Sequence, residues 1–433
     1  MGKDIKRDSN GDVRQKHRDY YTRRAARQRR NLIIAIVSIV AIISIVVVAV
    51  SIWGGDRGAA EDPSQKTEEI TESNQAEYTE ATLIATGDNL IHNTIYQQAQ
   101  ARADGSGYDF TYAYAEIAPI VAEADIAFIN QETPVASKVL EVSSYPMFNT
   151  PVESVGALAA VGFNAFNLAS NHTIDKGTAG ITATLDYMDS LTDIVHFGAY
   201  RNDADLNTVH TIEKNGIVFS FIGITEMTNG MYLPDDTELR VIYTSETDII
   251  AGMIENAKAN SDVVVVSVHW GDENVLAAAD RQKLLAQQLA NWGADIIIGH
   301  HPHVLQEIEE ITRDDGTMVP VIYSLGNFIS AQRGKANMVG GFFGCKVTKN
   351  LSDHSIVVSD ISFTPTITQF GSGYSNVHVV PYDENYTEEM ASSHGLGLSL
   401  DYINGVLLDT IGAKYLPDFI ADTENTSETG TEE

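Results

Sequence analysis

GADIIIGHHPHVLQ, residues 293–306, carries the reading of this chain. Ile296–Ile298 is a short, fully apolar, β-branched run, which suits a buried strand better than a helix. It stops at Gly299 and opens into His300, His301, Pro302 and His303, two of the imidazoles standing at alternate positions on a proline-stiffened loop. Just upstream, residues 280–292 follow a helical pattern. Helix, buried strand and polar loop form the repeating unit of an α/β sheet.

The unit recurs on both sides. Strand candidates are 81–87 (ATLIATG), 125–130 (DIAFIN), 164–169 (NAFNLA), 216–225 (GIVFSFIGIT), 262–270 (DVVVVSVHW), 294–300 (ADIIIGH) and 319–328 (VPVIYSLGNF). Helical patterns fall at 112–123, 151–161, 177–190 and 280–292. Residues 340–364 read as β alone, so part of the sheet is expected to be antiparallel.

Five of the strands end in polar residues: Gly87-Asp88-Asn89-Leu90-Ile91-His92, Asn130-Gln131-Glu132-Thr133, Ser170-Asn171-His172, His269-Trp270-Gly271-Asp272-Glu273, and Gly299 to His303. Six of the twelve histidines lie there. Ligands of open α/β sheets bind beyond the carboxyl ends of strands, on loops that a rigid scaffold positions. Carboxylates and imidazoles together suit Mn, Fe or Zn. An Asn oxygen can complete such a shell, and Glu132 could bridge two ions. Two ions about 3.5–4 Å apart can generate hydroxide and clamp a phosphoester. Each piece alone has a plainer reading. A lone His is more often a core residue, Gly87-Asp88 can be a turn, Asn171-His172 a helix cap, and Asp175 to Gly177 local turn chemistry. Five such loops in succession are harder to assign to caps.

The chain of 433 residues has a net charge of −31 and 43% hydrophobic residues, enough for a sizeable core. Residues 1–30 hold eleven Lys or Arg against four Asp; with +7 placed there, the rest carries −38. An acidic body argues against nucleic-acid binding and favours solubility or cation attraction. Cys345 is the single cysteine, so no internal disulfide can form. Leu32–Trp53 holds no charge over 22 residues, preceded by Arg23, Arg24, Arg27, Arg29 and Arg30. As a helix it would span about 33 Å, the thickness of a bilayer core. A cleaved signal peptide would have a shorter apolar run and a small-residue cleavage site. The positive-inside rule places the N-terminus in the cytoplasm and the main domain outside. The expected organisation is a basic cytoplasmic segment (1–31), a transmembrane helix (32–53), a flexible acidic stalk (54–80), an extracellular domain (81–421) and a disordered acidic tail (422–433).

The motifs GDNLIH (87–92), NQET (130–133), NLASNHTIDKG (167–177), VHWGDE (268–273), GADIIIGHHPHVLQ (293–306) and YSLGNF (323–328) resemble, in kind and order, the CapA-type family of poly-γ-glutamate capsule synthesis. The family in turn resembles calcineurin-like metallophosphoesterases, which implies a two-sheet sandwich flanked by helices. That resemblance implies that Asp88, His92, Glu132, Asn171, His269, His301 and His303 are metal ligands, of two ions, and that His172 is the proton donor. Asn130, Glu273, His300 and Asn327 would touch the ligands or the substrate. Two departures stand out. The first histidine, His92, lies four residues after Asp88 instead of two, and Glu132 stands where the enzymes bridge their ions with aspartate.

The implied role is a membrane-anchored protein of capsule synthesis. It would be a metal-dependent hydrolase or transferase on an extracellular anionic polymer or phosphoester. The competing reading is a non-catalytic membrane subunit partnering polymer synthase subunits, its metal site a relic. A surface domain serving another envelope task is the third.

Overall fold

The computed structural model describes residues 77–104 and 106–428. The chain divides into two units, Met1–Ser73 and Asn74–Glu433. The basic segment, the apolar run 32–53 and nearly all of the stalk lie outside the described residues. Among the described residues no helix is long and apolar enough to cross a membrane.

Fourteen strands are described. They are β1 Tyr78–Asn89, β2 Ile126–Asn130, β3 Ala165–Asn167, β4 Val195–Phe197, β5 His210–Lys214, β6 Ile217–Thr225 and β7 Val263–His269. Then follow β8 Ile296–His300, β9 Leu305–Thr312, β10 Met318–Leu325, β11 Asn327–Ile329, β12 Val339–Asn350, β13 Ile356–Gly371 and β14 Ser375–Pro381. They build two sheets, an α/β architecture as expected. One has the order β14-β13-β12-β1-β2-β3-β4, with β11 paired to the end of β1; the other runs β5-β6-β7-β8-β10-β9. Strands β1 to β4 are parallel, whereas β12, β13 and β14 add antiparallel pairs. The β-only stretch read at 340–364 is this antiparallel wing.

Alternation of side chains along the second sheet explains the layers. Phe219, Phe221, Val263, Val265, Ile296 and Ile298 share one core with Leu83, Ala85 and Phe128 of the first sheet. The intervening Ile222, Ile224, Val264, Val266 and Ile297 pack with Ile250, Ile254, Ala286 and Leu289 of two helices, Thr247–Asn260 and Asp280–Trp292. A period of two along each strand sends successive residues to opposite faces. By the same count His269 and His300 face the first sheet. Phe197 of the first sheet stacks on Phe221 of the second with centroids 5.2 Å apart, and Phe128 tilts against Phe197 at 5.8 Å.

The helix read at 112–123 is instead three short pieces, Thr111–Tyr114, a 3-10 turn Ala115–Ile117, and Ala118–Ala122. Pro119 sits in the first turn of the last piece and lacks the N–H that would continue the earlier one. A helix Asp418–Glu428 runs across residue 422, where the tail was placed. After Asp418 its first turn carries Phe419, packed on the core, and Ile420, fully buried. Residues 429–433 lie outside the described residues.

Candidate metal centre

Strand register assembles the site. Asn327, Asp88, Asn130 and Asn167 stand side by side across β11, β1, β2 and β3. Thr225, His269 and His300 do so across β6, β7 and β8. Gly87 lets β1 reach this edge: a Cβ there would lie 1.8 Å from the Gly326 carbonyl oxygen.

In the first row the side-chain amides form a relay. Asn167 Nδ2 donates to Asn130 Oδ1 at 2.8 Å, and Asn130 Nδ2 donates to Asp88 Oδ1 at 2.7 Å. An ionised carboxylate only accepts, so its position fixes both amide orientations. Asp88 Oδ2 then faces His303 Nδ1 at 3.0 Å, and Asn327 Oδ1 faces the same nitrogen at 3.1 Å. Both acceptors place a proton on Nδ1, so Nε2 of His303 is the nitrogen that a cation can reach once it is unprotonated.

The loop after β8 presents His301 and His303 with φ of 100° and 59°, both left-handed without being glycine. Such strain persists only where surroundings over-determine it. Here Asn274 N donates to Pro302 O at 2.8 Å and Asn337 Nδ2 to His303 O at 3.1 Å.

A second group gathers around His269, whose Nε2 lies 2.9 Å from Asn171 Oδ1 and 3.1 Å from His301 Nδ1. Glu132 stands between the groups: its Oε1 is 3.8 Å from His303 Nε2 and 4.0 Å from His269 Nε2. Both Glu132 oxygens are buried with no hydrogen-bond partner. A buried carboxylate without donors is costly, and a cation is its natural complement. The ligand atoms of Asp88, Glu132 and His303 lie within 4.8 Å of one another, as do those of Glu273, His301 and His303. The fully buried set of Asp88, Glu132 and His303 therefore fits a divalent cation, whereas Glu273 is exposed.

The electrostatics agree. Burial would raise Asp88, but the hydrogen bond and charge of His303 outweigh it and hold this carboxyl below its ordinary value. Burial drives Glu132 well up, against the pull of His303. Burial opposes the charge on His303, yet Glu132 and Asp88 lift it to about 9. Burial takes His300 and His301 down to about 4, and His269 well below its ordinary value. Cations binding here compete with the proton that Glu132 and Asp88 favour on His303.

The remaining residues have distinct places. His172 Nδ1 lies 2.8 Å from Asp175 Oδ2, which also accepts from Phe148 N at 2.7 Å. Asp175 N bonds His172 O at 3.0 Å, so the turn read at Asp175 exists and also carries a carboxylate–imidazole pair. Asn229 Oδ1 accepts from Asn171 Nδ2 at 3.4 Å. His300 stacks on Phe128 at 5.6 Å, with Nδ1 3.7 Å from Asp88 Oδ1. His92 stands to one side: its ring edge meets Phe148 at 5.3 Å and its Nδ1 takes the Ala331 N–H at 3.2 Å. It belongs to neither group above. Sequence reading passed over Asn167, Asp175 and Asn229.

Two sheets whose carboxyl-edge loops converge on buried carboxylates and imidazoles define an α/β sandwich with a cluster suited to divalent cations. The chain belongs to the bacterial capsule synthesis protein PGA_cap family, whose model matches residues 82–332. It is 32% identical over 280 residues to the PGA biosynthesis protein CapA of Bacillus subtilis (strain 168), covering 64% of this chain and 68% of that one. With the capsule biosynthesis protein CapA of Bacillus anthracis it shares 28% identity, over 62% of this chain and 64% of the other. It thus spans about two thirds of the length of these relatives. Among solved structures it is similar to a phosphatase from Mycoplasma pneumoniae (TM-score 0.40, 11% identity, 66% of this chain, 93% of that chain). It is also similar to a putative 5'-nucleotidase from Staphylococcus aureus (TM-score 0.41, 13% identity, 73% and 57%).

Proposed function

We propose that this chain is a single-pass, membrane-anchored capsule-synthesis protein whose outward-facing domain is a hydrolase or transferase using two divalent ions, Mn, Fe or Zn. Its substrate is a phosphoester or an acyl linkage in an anionic envelope polymer, and polymer synthase subunits are its partners. The observation that carries the reading is Glu132, buried without a donor between His303 and His269.

Asp88, Glu132 and His303 would hold one ion; Glu132, Asn171, His269 and His301 the other. Bound ions supply hydroxide near neutral pH and neutralise charge developing on the reacting group. The Asp175 carboxylate keeps the proton of His172 on Nδ1 and fixes the ring. Nε2 is left free of that pairing, and in the imidazolium form the second proton, held there, would be the one passed to a leaving oxygen. Asn171 keeps its oxygen toward His269 because Asn229 accepts from its nitrogen.

One observation favours a non-catalytic subunit instead: His92 is held by Ala331 and Phe148, apart from both ligand groups. Polymer yield separates the readings. In cells carrying His172→Ala or His301→Ala, a catalyst loses yield in both; full yield from both variants assigns a scaffold.

A further inference from the structure

Two neighbouring acids leave the end of β7 and meet different fates. Asp272 is paired with Arg281 at 3.0 Å, and Arg281 also reaches Glu226 at 2.9 Å. Glu273 has no such partner among the described residues. It is exposed, and its carboxylate lies within 4.8 Å of the ligand nitrogens of His301 and His303. The loop is built to keep it there. Gly271, with φ of 89°, donates its N–H to Glu226 at 2.8 Å. Asn274, with φ of 62°, donates its N–H to Pro302 O at 2.8 Å and accepts from Asn337 Nδ2 at 2.8 Å. An exposed carboxylate thus stands within reach of His301 and His303, on a loop whose backbone is anchored on either side of it.

We propose that Glu273 sets the charge of the substrate, selecting a group with one negative charge, such as a phosphodiester, over a dianionic phosphomonoester. The inference rests on the metal-centred reading above. Before any hydroxide is counted, two divalent ions with Asp88, Glu132 and Glu273 would leave one positive charge, so a dianion always carries one more uncompensated negative charge than a monoanion. A second negative charge on the reacting group meets the Glu273 carboxylate at close range, and at the dielectric of a partly exposed site that repulsion is worth roughly tenfold in affinity.

The test uses the full chain loaded with Mn at pH 8, as wild type and as Glu273→Gln, which keeps shape and removes charge. The probes are methyl phosphate, a dianion at this pH, and dimethyl phosphate, a monoanion. Binding is measured by calorimetry, and bound metal by elemental analysis. Glu273→Gln should tighten methyl phosphate roughly tenfold and dimethyl phosphate, with half the charge, only about threefold, with metal content unchanged. Equal changes for both probes, or none for either, overturn the inference and leave the metal centre intact. Loss of metal from the variant overturns it too, by making Glu273 a ligand. A wild type that takes up no metal removes the underlying reading, and this inference with it.

Discussion

Asp175 Oδ2 lies 2.8 Å from His172 Nδ1, on a carboxylate that the Phe148 amide also holds at 2.7 Å. The pair sits beside Asn171, whose Oδ1 faces His269 instead, so under the proposed function chemistry and metal binding can be separated by mutation. His172→Ala should keep metal content and fold while activity falls by about 10²–10⁴. Asp175→Asn, which keeps an acceptor for Phe148 but not the charge facing His172, should cost roughly 10–100-fold. If His172 only caps the local turn, both variants keep activity and lose about 1 kcal/mol of stability.

The left-handed backbone of His301 yields a second expectation. Its φ of 100° disfavours every residue with a Cβ. His301→Ala and His301→Gly should both lose metal. In chelator-treated protein, however, the glycine variant should be more stable than the alanine variant by about 1 kcal/mol. Urea melts of the two variants measure this; equal midpoints would remove the claim of strain.

Close approach at Gly87 gives a contrast between glycines. A Cβ there would meet the Gly326 oxygen at 1.8 Å, whereas one on Gly177, with φ of 60°, meets nothing within 4 Å. Gly87→Ala should destabilise by about 3 kcal/mol or more and displace Asp88. Gly177→Ala should cost only about 1–2 kcal/mol, for the left-handed backbone. Thermal melts compare them directly.

Acid should weaken the metal-free protein. His300, buried with neither ring nitrogen partnered, and His301 are both held near a pKa of about 4. Between the ordinary histidine value of about 6.5 and that of the fold, the unfolded chain binds protons that the folded chain refuses, so stability falls as pH drops. His303 has the opposite sign. Raised to about 9, its stabilisation is complete below about 6.5 and is lost as pH rises toward 9. The melting temperature of chelated protein should peak near neutrality and decline on both sides. Replacing His300 with Phe should flatten the acid side; an unchanged acid limb would exclude His300 as its source.

Much of this arrangement could be read from the sequence because buried parallel strands are written as continuous apolar runs, and their polar ends stand out by contrast. DIAFIN and ADIIIGH fall on β2 and β8 almost residue for residue. Other elements were legible but passed over. Asn215-Gly216, both with positive φ, is the turn of the β5–β6 hairpin. Ile250, Ile254 and Ala257 mark one buried face of the helix Thr247–Asn260. What the sequence concealed depends on pairing between distant segments. Asn167 reads as one more strand residue until register sets it beside Asn130. Asp175 reads as a turn residue, and Asn229 lies in a loop with no periodic signal at all.

Metal stoichiometry of Glu132→Gln tests the central claim most directly. Full-length protein is loaded with Mn, freed of excess ion and analysed for bound metal beside the wild type. The account predicts two ions per chain in the wild type and at most one in the variant. The metal-free variant should melt no lower than metal-free wild type, because an amide costs less to bury unpartnered than a carboxylate. Equal metal content in the two proteins, or none in either after loading, would contradict the account.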